Sequence, residues 1–182
     1  SHEYKTDTEF IKYFIIQNQD KFSNFIDVLK EFVKTIPRAF NIIFLYKGEL
    51  YAIRDQYGTR PFKIVKTCEG DIYLTSEDYF LCDDNDLNND IPRGSIVHID
   101  KELNINTTEI DNLSTRNHTA HCVFEHIYFM NPNTLTDGFL VKDSRVKMGH
   151  ILANDEDIIE FGGDYLVSSV PNTATTSAEI FA

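Results

Sequence analysis

The order of apolar and polar positions divides the chain into a helical start and a strand-rich remainder. Phe10, Ile11, Phe14 and Ile15 recur at helical spacing, and Phe22, Phe25, Ile26, Leu29 and Phe32 repeat the pattern. Thr6-Asp7-Thr8-Glu9 fits a capping box, with Thr6 as N-cap and Glu9 reaching back. Asn18-Gln19-Asp20 is expected to separate the two helices. Pro37 is expected to end the second, because the residue before a proline is pushed out of the helical region. From residue 39 the pattern changes. Residues 39–46 form an apolar, β-branched and aromatic run that suits a buried strand, Lys47-Gly48 makes a tight turn, and 49–54 returns as the hairpin partner.

Residues 55–61 read as a loop, with Gly58 available for a positive φ and Pro61 closing it. Short strands are expected at 62–66 and 71–75, and Ser76 as the cap of a brief helix through Tyr79 and Leu81. The acidic stretch 83–86 with Asn88-Asn89-Asp90 reads as a solvated loop, since the register, mid-loop Gly and closing Glu of an EF-hand are missing. Pro92-Arg93-Gly94 is a turn and 95–100 a strand, while 101–120, rich in Asn, Thr and Asp, reads as a domain edge or linker. An aromatic segment, 122–130, precedes a helix over 144–153 with Val146, Met148, Ile151 and Leu152 as its apolar positions. Residues 164–171 read as a buried strand, and a helix is expected from Thr173. A lone strand–helix unit cannot cover its own apolar faces.

Composition narrows the function classes. The 182 residues are 42% hydrophobic and 25% charged, an ordinary globular balance. A net charge of −12 and a pI near 4.8 argue against general binding to a phosphate backbone. No apolar run reaches the roughly 20 residues that span a bilayer, and residues 1–5 lack a signal core, so a soluble, cytoplasmic protein is expected. Cys68, Cys82 and Cys122 are few, odd in number and far apart, which fits a reducing compartment and simple partial burial. His118, His121, Cys122 and His126 crowd nine residues and carry zinc-ligand chemistry, but a structural zinc site needs a second ligand pair that the sequence does not show. Neither a nucleophile elbow nor a phosphate-binding glycine loop occurs. Taken alone, these features specify an acidic α+β protein.

The succession of motifs says more. Thr6-Asp-Thr-Glu9 is followed by Leu50-Tyr-Ala-Ile-Arg-Asp55, Tyr57-Gly-Thr-Arg-Pro-Phe62, Thr75-Ser-Glu77 and Pro92-Arg-Gly-Ser-Ile-Val-His-Ile-Asp100. Cys122-Val-Phe-Glu-His-Ile-Tyr-Phe-Met-Asn-Pro132, Ser144-Arg-Val-Lys-Met-Gly149 and Leu166-Val-Ser-Ser-Val-Pro171 complete it. From about residue 5 onward this order resembles the amidophosphoribosyltransferases, the glutamine-dependent family that begins purine nucleotide synthesis. The segment 50–62 alone would also suit glutamine-hydrolysing asparagine synthetases; the aromatic segment followed by Ser144-Arg-Val-Lys-Met-Gly149 points to the purine family.

The resemblance implies an α+β chain. Residues 1–115 match the second half of an N-terminal-nucleophile glutaminase domain, an α/β/β/α sandwich. Residues 116–150 match a crossover, and 151–182 the first βα unit of a type I phosphoribosyltransferase domain. It implies glutamine and phosphoribosyl pyrophosphate as substrates, Mg²⁺ with the latter, a homo-oligomer, and neither nucleic-acid nor membrane partners. Asp7 matches the position that holds the α-ammonium of glutamine, its plainer role being a first-turn acid on the helix dipole. Tyr128 falls near the glutamine pocket and ammonia path, its plainer role a core aromatic. Asp55, Gly58 and Arg60 match a structural loop. Cys122 matches an iron–sulfur ligand of one branch, but the other three ligands have no counterpart, so no cluster is expected.

The departures also count. The family's catalysis needs a cysteine as residue one, with its α-amino group as base, whereas Ser1 stands first here. No catalytic residue is therefore assigned, and these residues alone are expected to be inactive. The two-acid phosphate loop is expected beyond residue 182. Asn131, Asn133 and Asn172 stand where charged residues are usual, and Arg38 where a glycine is usual. Two readings stay open: a section of an active enzyme, or a degenerate homologue that binds or stabilises a partner.

Overall fold

A computed structural model describes residues 5–79, 87–111, 113, 118–155 and 166–182. Its elements begin with α1 (Asp7–Asn18), a 3₁₀ turn (Gln19–Lys21), α2 (Phe25–Thr35), β1 (Asn41–Tyr46), β2 (Glu49–Arg54), β3 (Lys63–Lys66) and β4 (Ile72–Thr75). They continue with β5 (Leu87–Asp90), β6 (Ser95–Ile99), β7 (Ile105–Glu109), a π-helical turn (Glu125–Phe129), β8 (Leu135–Thr136), β9 (Phe139–Leu140), α3 (Val141–Ala153) and α4 (Thr175–Phe181). Mixed helices and antiparallel sheets make the chain α+β. It forms two units, one from Ser1–Arg60 and Ile91–Ala120, the other from Pro61–Asp90 and His121–Ala182.

In the first unit the local signals act as their chemistry requires. Thr6 Oγ1 accepts the Glu9 N–H at 3.2 Å, while the Glu9 carboxylate reaches back to the Lys5 N–H at 2.9 Å, one residue short of Thr6 itself. Asn24 caps α2 by accepting the Asp27 N–H at 2.9 Å, and α2 stops at Thr35, ahead of Pro37. Lys47 (φ 53°) and Gly48 (φ 82°) both sit in the left-handed region, as a two-residue hairpin turn demands. The sheet order is β1-β2-β6-β7, antiparallel throughout, with Ile42 opposite Ile53 and Ile53 opposite Ile96. Leu29, Phe32 and Val33 of α2 pack with Tyr51, Ile53, Ile96 and Ile110, and Phe25 stacks on Tyr46 with ring centroids 4.1 Å apart.

Two expectations change here. The run 39–46 is not a buried strand: β1 lies at the sheet edge, and only Ile42, Phe44 and Tyr46 join the core. Ile43 and Leu45 point to the other face and are 50% and 75% exposed. The supposed linker 101–120 contains β7, which pairs with β6 along five residues.

The second unit holds a sheet of order β4-β3-β5, the β8–β9 hairpin and the packed helices α3 and α4. Lys63 is buried, with its Nζ 3.0 Å from Asp90 Oδ1 and 3.3 Å from Asp78 Oδ2. Asp90 also accepts the Asp137 N–H at 2.8 Å, tying the hairpin turn to β5. Asn88–Asp90 therefore belong to a strand and not to a loop, with Asn89 opposite Ile64. Residues 76–79 are not helical, and Leu81 and the acidic stretch 83–86 lie outside the described residues. α3 starts at Val141 and buries Val141, Arg145 and Gly149, whereas Ile151 and Leu152 are exposed. The expected strand over 164–171 is not seen at 166–170, where Leu166 is 93% exposed; no described strand offers it backbone partners.

Candidate functional site

Asp7 is the first residue of α1, placed there because Thr6 caps the helix. It lines a cavity of about 590 Å³ whose walls include Phe10, Ile11, Phe32, Ile36 and Arg38. One carboxylate and one guanidinium on an otherwise apolar wall can hold the two ends of a zwitterion, each charge meeting its opposite. Arg38 is placed by the bend after α2, where its N–H donates to the Ile36 carbonyl at 2.9 Å.

The loop after β2 is built on Asp55. Its carboxylate accepts the Tyr57 N–H at 2.8 Å, the Thr59 N–H at 3.2 Å and the Thr59 hydroxyl at 3.3 Å. Its carbonyl accepts the N–H groups of Gly58 and Gly94. Gly58 has φ +64°, and a Cβ there would stand 3.1 Å from Arg93 Cβ. Arg60 enters through its backbone carbonyl, which accepts from Arg54 Nε at 3.1 Å. Arg54, 1% exposed, also donates to the Ile91 carbonyl at 2.9 Å and the Gly58 carbonyl at 3.3 Å. Sequence reasoning missed Arg54. It shares a face of β2 with Leu50 and Ala52, opposite the Tyr51 and Ile53 that join the core, so alternation reads its charge as facing solvent.

Tyr128 sits on the π-helical turn, 61% exposed, its ring edge-on to Phe129 with centroids 5.4 Å apart. It lines a cavity of about 260 Å³ with Glu77, Asn131, Arg145 and Asn172. Glu77 accepts the Asn131 N–H at 2.7 Å and the Thr134 hydroxyl at 3.0 Å. Buried Arg145 donates to the carbonyls of His126 at 3.0 Å and Met130 at 2.7 Å, fastening both ends of the turn to α3. Burial draws the Arg145 pKa down, and the nearby Glu77 carboxylate acts against that. Half-buried Glu77 and buried Arg145 were also missed, because a charge turned inward is indistinguishable from a surface one in a hydrophobic pattern.

The His/Cys cluster is only partly assembled. His121 Nδ1 lies 3.5 Å from Asp137 Oδ2, and its ring centroid 6.4 Å from that of His126. His126 Nδ1 is buried without a hydrogen-bond partner among the described residues, and burial, then His121, lowers its pKa. His118 contributes its carbonyl to Arg93. Cys122 is half-buried and Cys68 exposed, and Cys82 lies outside the described residues. Among the described residues no three His, Cys, Asp or Glu side chains converge as metal ligands would.

Asp7, the Asp55 loop and Tyr128 thus occupy three separate settings, the first two in one unit and the third in the other. Comparisons with known proteins concern the chain as a whole. No protein-family model matches the chain. Amidophosphoribosyltransferase of Homo sapiens is 29% identical over 190 residues, covering 96% of this chain and 36% of that protein. Amidophosphoribosyltransferase of Methanocaldococcus jannaschii is 30% identical over 185 residues, covering 95% and 38%. Among solved structures, glutamine phosphoribosylpyrophosphate amidotransferase from B. subtilis, complexed with ADP and GMP, shares the fold at a TM-score of 0.80 and 20% identity, covering all of this chain and 38% of that one. An allosteric regulatory enzyme of purine biosynthesis follows at 0.79 and 23%, covering 37% of its chain. The chain is a homologue of amidophosphoribosyltransferases along about 95% of its length, and spans a little over a third of theirs.

Proposed function

We propose that the chain is a section of a glutamine-dependent amidotransferase that makes 5-phosphoribosylamine from phosphoribosyl pyrophosphate. Water converts the glutamine amide to glutamate and ammonia, and the ammonia displaces pyrophosphate from the ribose C1. In this reading residues 1–115 belong to a glutaminase α/β/β/α sandwich, 116–150 to the crossover and 151–182 to the start of the phosphoribosyltransferase domain. The protein would act in the cytoplasm as a homo-oligomer. The observation that carries the reading is similarity running nearly the whole length of the chain to proteins of that one name.

Asp7 pairs with the α-ammonium of glutamine against the apolar wall of its cavity. The Asp55 loop, closed by Arg54 and Gly58, fixes the end of β2. Tyr128 stands on a turn braced by Arg145 and Glu77, at the ammonia path. Mg²⁺ neutralises the phosphates of the second substrate when bound; the described residues offer no ligand set for it, so no step here passes through it.

The test begins with the reading frame at this locus: a cysteine directly after an initiator Met upstream, and a two-acid phosphate loop downstream. The protein encoded by the whole frame is then assayed for pyrophosphate and glutamate. Release of both, dependent on glutamine and phosphoribosyl pyrophosphate together, is the expected result. A folded full-length product that releases neither overturns the reading in favour of a non-catalytic homologue.

A further inference from the structure

Val141, Arg145 and Gly149 follow one another at i, i+4 spacing, so the buried positions of α3 lie along one face of it. That face meets two elements. Arg145 is 3% exposed, and its guanidinium donates to the His126 carbonyl from Nε and to the Met130 carbonyl from Nη2, at the two ends of the turn that carries Tyr128. Across those ends the turn's own bond runs from the Met130 N–H to the Glu125 carbonyl at 3.0 Å. So short a piece of wide helix does not persist by itself, and the bonds from Arg145 hold it. One turn later along α3, Gly149 meets α4, where the Ser177 carbonyl and Ile180 leave no room for a side chain. Arg145 belongs to this second contact too, because its backbone carbonyl accepts the Ser177 hydroxyl at 2.9 Å.

We infer that Arg145 is a positioning residue that makes the Tyr128 turn answer to the seating of α4. Its side chain fixes the turn and its carbonyl fixes α4, so one residue of a rigid helix is shared by both contacts. With Ser177 bonded and α4 packed on Gly149, α3 is held in the register that aims the guanidinium at both turn carbonyls. When α4 lifts, α3 loses that restraint, the fork no longer spans the two carbonyls, and the turn loosens. Glu77 holds the chain just past the turn, at the Asn131 N–H and the Thr134 hydroxyl, so the movement is confined to residues 126–130. The coupling is reciprocal: whatever stability the seated α4 lends the turn, the ordered turn lends α4. Its functional side rests on the proposed reading, in which α4 opens the phosphoribosyltransferase segment and Tyr128 stands at the ammonia path, so that seating the one sets the other.

Hydrogen exchange in variants of the 182-residue chain tests the coupling. The Met130 amide reports the turn, the Ala178 amide, bonded to the Ala174 carbonyl at 2.9 Å, reports α4, and the β3 amides report the stability of the unit. Ser177→Ala removes only a hydroxyl from α4, and Arg145→Lys keeps the charge but cannot bridge both carbonyls. Each is expected to speed exchange at both Met130 and Ala178 by at least about fivefold, with β3 unchanged. Adding Ser177→Ala to Arg145→Lys is expected to change nothing further at Met130. In the protein encoded by the whole frame, Ser177→Ala is expected to lower pyrophosphate release with glutamine more than with ammonium, since free ammonia needs no path. A parent protein that uses neither nitrogen source overturns the catalytic reading alone, and the exchange results then decide the coupling. The inference is overturned by an equal fall with both sources, by Ser177→Ala acting at Ala178 only, by Arg145→Lys acting at Met130 only, or by equal acceleration in β3.

Discussion

Gly149→Ala sets two effects of known size against each other. Gly149 lies in the interior of α3, where alanine is favoured over glycine by about 0.8–1.0 kcal/mol through propensity alone. The space for a methyl group is missing, however. A Cβ there would lie 2.6 Å from the Ser177 carbonyl oxygen, 2.8 Å from Ile180 Cβ and 3.1 Å from Ile180 Cγ2. Carbon contacts settle near 3.5–4.0 Å, and two of these three atoms are backbone or Cβ, which cannot swing aside as a side-chain tip can. α4 must therefore shift as a body, straining the bond from Ser177 Oγ to the Arg145 carbonyl, now 2.9 Å. Overpacking of this kind costs about 1–3 kcal/mol, so the net change is a destabilisation of up to about 2 kcal/mol. α4 has seven residues, too short to persist undocked, so its displacement removes helical signal as well. Urea unfolding followed by circular dichroism gives the first quantity, and hydrogen exchange at residues 177–181 the second. A variant about 1 kcal/mol more stable than the parent, with those amides as protected as before, would refute the close α3–α4 contact.

Two further outcomes follow from the buried charges. Lys63→Met leaves Asp78 and Asp90 facing each other without their shared cation, and a loss of roughly 3–5 kcal/mol is expected, seen as a lower urea midpoint at unchanged slope. His126 has a folded pKa below 6.5, so the unfolded chain binds more protons between the two values. Its contribution to stability is therefore full above about pH 6.5 and is lost as pH falls toward the folded value. His126→Gln should flatten the stability–pH slope in that window, and an unchanged slope would disprove the burial argument.

Where backbone conformation is set by neighbours in the sequence, the fold was legible. Thr6, Pro37 and the Lys47-Gly48 turn each act within a few residues, and α1, α2 and the β1–β2 hairpin follow from them. What failed to show was structure decided at a distance. β5 and β7 are polar strands held by a single neighbour among the described residues, so they bury too little for alternation to mark them. The inner face of α3 turned out to run through Arg145, whose partners are the His126 and Met130 carbonyls 19 and 15 residues away. The same holds at the candidate site. Asp7 could be picked out because a cap and a motif coincide there, but Arg54, Glu77 and Arg145 act through backbone groups that no local pattern indicates.

Arg54 has a wider consequence for how the chain is threaded. The polypeptide leaves the first unit after Arg60 and re-enters it at Ile91. The carbonyls of those two residues are both held by the one Arg54 guanidinium. The intervening stretch 61–90 is thus an excursion pinned at its neck, and the entropy of closing it, which grows only as the logarithm of its length, is offset at that point. Its length could drift without disturbing the sheet from which it departs. Loss of Arg54 would instead open the neck, leaving the β2–β6 ladder and the Gly94–Asp55 bond to hold the first unit's two pieces together.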